Sequence, residues 1–147
     1  MENRNLNHPK KGDITRTLPF TLKDIKSLKL MLRDSKPRDY ALLVCGVGFA
    51  LRGGDLLGLR IGQVRYLKPG DTLELREQKT KKLRRVVVNK TAYQAIQSLI
   101  ASMKGCIDDT SFLFKSRKSA GGGKLCVPYL CYLVKSSARA LNLKGNY

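Results

Sequence analysis

The sequence predicts an α+β fold, mainly helical, with a small antiparallel three-stranded sheet. Apolar residues recur at helical spacing before residue 50 and again after residue 90. Between them, an alternating segment and a valine-rich segment flank a short basic turn. No internal repeat or linker divides the chain, so helices, hairpin and helices read as one unit.

Residues 1–17 are polar and basic without a period, and are expected to form a flexible arm ahead of a domain spanning 18–147. Thr21-Leu22-Lys23-Asp24 has the form of a capping box, with Asp in the place of the usual Glu. Leu22, Ile25, Leu28 and Leu32 then follow a helical period, predicting a helix from about Leu22 to Arg33. Ser35-Lys36-Pro37 breaks it and starts a second helix with proline in the first turn. Tyr40 to Leu51 is apolar on every side, so this helix should lie at the centre of the core. Arg52-Gly53-Gly54-Asp55 follows as a turn or helix junction.

Beyond it the period becomes two. In Thr72–Arg76, Leu73 and Leu75 face one way while Thr72, Glu74 and Arg76 face the other. Leu83 to Val88 is the partner strand, and Lys79-Thr80-Lys81-Lys82 forms a cationic tip between the two. Val64 to Leu67 is expected to add the third strand, ahead of a turn at Pro69-Gly70-Asp71. Asn89 or Thr91 can cap a helix carrying Tyr93, Ile96, Leu99, Ile100 and Met103, ended by Gly105. Phe112–Phe114 reads as a short buried piece, 115–124 as a loop, and a last helix runs from near Pro128 to before Gly145.

The 147 residues carry 29 Lys plus Arg against 11 Asp plus Glu, a formal charge of +18. Such a balance speaks to partners rather than fold. Nucleic acid is the first of them, because each neutralised phosphate releases condensed counterions. An anionic membrane surface fits less well, since no helix joins a basic face to a strongly apolar one. The longest apolar run, Tyr40 to Leu51, is 12 residues and too short to span a bilayer. No signal peptide is legible. Cys45, Cys106, Cys126 and Cys131 sit in no CxxC spacing, and His8 is the single histidine, which leaves too few ligands for structural zinc. The expectation is a cytoplasmic, reduced, nucleoid-associated bacterial protein without a metal.

Three segments invite chemistry. Lys115 to Lys124 (KSRKSAGGGK) holds Lys115, Arg117, Lys118 and Lys124. Its GGGK suggests a phosphate loop, but Lys118 and Leu125 occupy the places where that pattern needs Gly and Ser or Thr. It therefore reads as a flexible basic loop. The tip from Lys79 to Arg85 has five basic residues in seven, which either guard a sheet edge or contact nucleic acid. Arg52 ends the apolar run, where a guanidinium needs a partner. Asp55, three residues on, would make an ion pair; a phosphate oxygen would make a bidentate grip. Both fit the residues. One histidine permits no Ser-His-Asp or Cys-His arrangement, and residues 110–147 contain no acid, so carboxylate-pair or metal catalysis is disfavoured.

Taken in order, these features resemble the tyrosine recombinase (phage integrase) family. Asp39 to Arg60 resembles its first signature box, a buried helix running into Gly-Leu-Arg, an acid three residues later and a leucine-rich turn. Here Phe49 and Ala50 stand in place of the Thr-Gly before Leu51-Arg52, Asp55 stands where Glu is commoner, and Gln63 replaces an acid. Leu73 to Val88 looks like the family's second and third strands, with Lys79 before Thr80 at the place of its mobile catalytic lysine. Phe112-Leu113-Phe114 and Leu130 to Leu141 match two later segments.

The resemblance implies transesterification on double-stranded DNA through a phosphotyrosine link, with no metal or cofactor, among several protomers on one DNA and away from the membrane. Arg52 would stabilise the phosphate, Lys79 would protonate the leaving oxygen, and Asp55 would support them. Lys81, Lys82, Arg84, Arg85, Lys115, Arg117, Lys118 and Lys124 would contact DNA. The family's second box, His-x-x-Arg, and its tyrosine nucleophile are not found. Tyr147 precedes their expected place, and Tyr40, Tyr66, Tyr93, Tyr129 and Tyr132 are expected in buried or structural positions. The chain thus reads as the N-terminal part of a catalytic domain, truncated at the C-terminus and inactive alone, with apolar surface uncovered near Val127 to Leu143. A non-enzymatic basic DNA- or RNA-binding module is the alternative.

Overall fold

The structure is a computed structural model and describes residues 18–105, 107–118 and 122–144. The arm expected over 1–17, Tyr147 and the middle of the 115–124 loop lie outside the described residues.

Helix α1 spans Leu22–Arg33 and opens on the capping box: Thr21 Oγ1 accepts the Asp24 N–H, and Asp24 Oδ2 accepts the Thr21 N–H at 2.9 Å. Such a cap is worth about 1 kcal/mol. Leu28 and Leu32 turn inward onto α2, Pro37–Phe49, whose Ala41, Leu42, Val44, Cys45 and Phe49 are buried. Burial pushes the Cys45 thiol up to about 12, so it acts as a small hydrophobe. Ala50 ends α2 in the left-handed region at φ 49°, and the chain turns into the short α3, Gly53–Leu57.

Helix α4, Ile61–Val64, precedes strands β1, Thr72–Arg76, and β2, Leu83–Val87, which pair antiparallel from Thr72↔Val87 to Arg76↔Leu83. Leu73 and Leu75 are buried on one face as the alternation requires. Helices α5, Lys90–Ser102, and α6, Val127–Ala140, complete the order. Asn89 is the cap of α5, accepting the Ala92 N–H at 2.8 Å, and α5 gives way to extended backbone at Met103, two residues before Gly105. Helix α5 packs along α2, and Leu113 and Phe114 fill the core between the layers with no exposed surface.

The third strand expected at Val64–Leu67 is not formed; among the described residues the sheet has two strands. Local hydrogen bonds win there. Gln63 Oε1 accepts the Arg60 N–H at 2.8 Å, Ile61 C=O accepts the Arg65 N–H at 2.9 Å, and Val64 C=O accepts the Leu67 N–H at 3.2 Å. Just before the segment, Ile61 N–H goes to Ser111 C=O and Gly62 N–H to Asp109 C=O, both at 2.9 Å. A Cβ on Gly62 would stand 2.7 Å from Asp109 Cβ, so glycine permits this close approach.

Two tyrosines also depart from expectation. Tyr66 and Tyr132 are 69% and 66% exposed. Tyr66 sits at the surface donating to Asp109 Oδ2 at 3.2 Å. Tyr129 is structural: its hydroxyl donates to the Asp39 carboxylate at 3.0 Å and accepts from Arg38 Nη2 at 3.0 Å. This joins the first turn of α2 to the first turn of α6. Further along α6, Leu133, Ser137 and Ala138 face inward, while Val127 and Tyr132 are exposed. Among the described residues no helix is long and apolar enough to cross a membrane.

Candidate functional site

Arg52 stands at the N-cap of α3 on extended backbone, φ −63° and ψ 146°. The left-handed turn at Ala50 lifts it out of the core, and its side chain is 54% exposed. The desolvation cost that the sequence suggests therefore does not arise. Nor does Arg52 pair with Asp55. Its Nη1 lies 2.6 Å from Glu77 Oε2, on the hairpin tip. Asp55, in the first turn of α3, is buried and 6% exposed. Its Oδ1 accepts the Gln78 N–H at 2.8 Å.

These two contacts dock the hairpin tip on α3. Gln78 Nε2 adds a longer bond to Gly54 C=O at 3.4 Å, and a Cβ on Gly58 would stand 2.9 Å from that same nitrogen. Small residues on α3 leave room for the Gln78 side chain. The tip closes on itself: Glu77 N–H donates to Lys82 C=O at 3.0 Å, and Lys81 N–H to Glu77 C=O at 2.9 Å. Lys81 takes the left-handed conformation, φ 59°, to make that turn. Glu77 Oε2 also accepts the Thr80 hydroxyl. The Thr80 hydroxyl, and then the Arg52 guanidinium, hold the Glu77 carboxyl below the usual carboxylate range.

Lys79 lies between Gln78 and Thr80, exposed, and its ammonium has no hydrogen-bond or ion-pair partner among the described residues. The structure thus gathers Arg52, Asp55 and Lys79 at one junction, α3 against the hairpin tip. Lys81, Lys82, Arg84 and Arg85 continue from it along the tip and β2, all exposed. Arg85 is engaged by Glu74 at 2.6 Å across the strands.

The second basic group has a different anchor. Lys115 and Lys124 pair as a β-bridge at the neck of the loop, with Arg117, Lys118 and Lys124 exposed. Arg38 Nη1 holds this neck to α2 by donating to Lys115 C=O at 3.1 Å. Arg38 itself spans Asp39 at 3.3 Å and stacks 5.0 Å from the Tyr129 ring centre.

Sequence reasoning missed Glu77, Gln78 and the Arg38–Asp39–Tyr129 cluster. A lone acid bordering five basic residues in seven was a legible signal for Glu77. An acid beside Arg38, just ahead of the apolar run that starts at Tyr40, was the signal for Asp39.

No family model matches the chain. It is 34% identical over 96 residues to the "Probable integrase/recombinase YoeC" of Bacillus subtilis (strain 168), covering 65% of this chain and 49% of that protein. The chain thus spans about half the length of this curated relative. In fold it is similar to XerA recombinase, with a TM-score of 0.70 over 90% of this chain and 46% of that one, at 17% identity. It is likewise similar to XerH site-specific recombinase bound to a palindromic difH substrate, with a TM-score of 0.70 over 96% of this chain and 41% of that one, at 18% identity. The Tn1549 transposon integrase in complex with circular intermediate DNA gives 0.62 over 87% and 46%, at 23% identity. The resemblance legible in the sequence is borne out by both kinds of comparison: the chain carries the fold found in part of these tyrosine recombinases.

Proposed function

We propose that this chain is the phosphate-gripping and proton-donating part of a site-specific DNA recombinase or integrase. The observation that carries this reading is the junction itself. An arginine and an unpaired lysine from separate elements are held together by Asp55, Gln78 and Glu77, with a run of exposed cations leading away along β2. Duplex DNA is the proposed partner; the similar XerH is bound to its palindromic difH substrate and the Tn1549 integrase to circular intermediate DNA. Lys81, Lys82, Arg84, Arg85, Lys115, Arg117, Lys118 and Lys124 bear on its phosphates. Further protomers act on the same DNA, in the bacterial cytoplasm and at the nucleoid.

The chemistry divides between two side chains. A guanidinium at position 52 neutralises the charge that grows on a five-coordinate phosphate. An ammonium at position 79 delivers a proton to the departing 5′-oxygen as the phosphotyrosine bond forms. Asp55 is a positioning residue, fixing the backbone at Gln78 next to that lysine. These 147 residues hold no His-x-x-Arg. Alone, they form no covalent DNA adduct.

The test uses a polypeptide that joins this chain to a segment bearing the second box and the tyrosine. Arg52→Ala should slow adduct formation by about 10²- to 10³-fold, the usual loss for one preorganised charge donor. Lys79→Ala should be rescued on DNA whose leaving oxygen is a 5′-bridging sulfur, which needs no proton. Rescue of Lys81→Ala in place of Lys79→Ala would move the proton donor two residues along. A denaturant-resistant adduct from the 147 residues alone would overturn the division of labour.

A further inference from the structure

We propose that Glu77 is a positioning residue that occupies Arg52 in the DNA-free protein and yields it to an incoming phosphate, resting on the reading of Arg52 as a phosphate ligand. Glu77 Oε2 is 2.6 Å from Arg52 Nη1, the place and charge that a phosphate oxygen would take. The same oxygen accepts the Thr80 hydroxyl, so one carboxylate oxygen ties Arg52 to the residue next to Lys79. The pair is unequal in exposure: the Glu77 side chain is 15% exposed and the Arg52 side chain 54%. The acid is therefore the fixed member, held from below by the tip, and the arginine is the member that can swing toward solvent.

The geometry around Glu77 supports exchange rather than a permanent bridge. Its backbone is fixed on both sides of the turn, through Lys82 C=O and through its own C=O to Lys81 N–H. Loss of Arg52 leaves the carboxylate with the Thr80 hydroxyl still donating to it, and the exposed cations of the tip around it. A phosphate arriving at Arg52 thus competes with one internal acid and leaves no buried charge unpaired. Two consequences follow. The internal acid lowers the affinity of Arg52 for any phosphate by the strength of the pair, and release of Arg52 frees one of the contacts that hold the Lys79 turn on α3.

The experiment compares duplex DNA affinity of the wild-type chain, Glu77→Gln, Arg52→Ala and the double variant at one salt concentration. Glutamine keeps the size and can still accept from Thr80, and thermal melting of each variant verifies folding. Glu77→Gln should bind about two- to fivefold tighter, the range for releasing one exposed ion pair. That gain should shrink to the small general effect of removing a negative charge when Arg52 is already alanine. Equal gains in both backgrounds, or no gain in either, would overturn the proposal. A titration with inorganic phosphate, followed by the Arg52 side-chain N–H resonance, separates the two readings. Tighter phosphate binding at Arg52 in Glu77→Gln sustains the exchange even if duplex DNA binds elsewhere. An Arg52 resonance that phosphate moves in neither protein sinks it.

Discussion

Asp55 Oδ1 accepts the backbone N–H of Gln78 at 2.8 Å, from a carboxylate that is 6% exposed. The two residues are 23 apart in sequence, and the bond ties the first turn of α3 to the turn that carries Lys79. Arg52 precedes α3 by one residue, so the same bond fixes the spacing of arginine and lysine. A buried acid in the first turn also suits the positive end of the helix.

Asp55→Ala should cost about 1.5–3 kcal/mol, the usual range for a hydrogen bond to a charged group. Asp55→Asn should cost less, because its amide oxygen can still accept from Gln78. Urea unfolding followed by circular dichroism measures both. Equal stability of wild type and Asp55→Ala would mean that the hairpin tip does not depend on α3.

Binding to duplex DNA should weaken steeply with salt, by about 0.9 on a log–log slope for each phosphate contacted. Replacing Lys81, Lys82 or Arg84 by alanine should each reduce that slope by about one contact, across unrelated sequences. Arg85→Ala should reduce it less, because Glu74 already engages that guanidinium. Titrations between low and moderate salt give the slopes, and a salt-independent affinity would remove the electrostatic account.

Tyr129→Phe removes a hydroxyl that serves both Asp39 and Arg38, and should cost about 1.5–3 kcal/mol, as for hydrogen bonds to charged groups. Burial, then the Asp39 carboxylate, raises the Tyr129 phenol above its ordinary value near 10. A raised folded-state value means that the folded protein holds this proton more tightly than the unfolded chain. The corresponding stability is present below pH 10 and is lost as pH rises through the folded value. The gap in urea midpoint between wild type and Tyr129→Phe should therefore be widest near neutrality and narrow at alkaline pH. A constant gap would show that the phenol's proton is not coupled to folding.

Much of this arrangement was legible because it rests on local chemistry. The Thr21–Asp24 cap, Pro37 at a helix start and the alternation of Leu73 and Leu75 each fix structure within a few residues. The Val64–Leu67 strand failed because local helical bonds took its backbone donors, Arg65 N–H going to Ile61 C=O and Leu67 N–H to Val64 C=O, while the 109–111 turn, about 45 residues on, anchored Ile61 and Gly62 just before it. At the site, Arg52 and Asp55 stood out at the end of the apolar run, and the family resemblance supplied their roles and Lys79. The pairing was not legible. An acid three residues after an arginine suggests a helical ion pair, but a helix that begins right after Arg52 turns its first-turn acid inward and the arginine out. The pairing of Glu77 with Arg52 became visible only once the hairpin was docked on α3.

The central claim is that α3 and the hairpin tip form one phosphate-binding site on DNA. Proton–nitrogen correlation spectra of the chain, titrated with a short duplex, test it most directly. The account predicts that the Arg52 side-chain N–H and the amides of Gly53, Gly54, Gln78, Lys79 and Thr80 shift together along one salt-sensitive binding curve. Shifts confined to Lys115–Lys118 and Gly122–Lys124, with Arg52 and the hairpin tip unmoved at saturation, would contradict it.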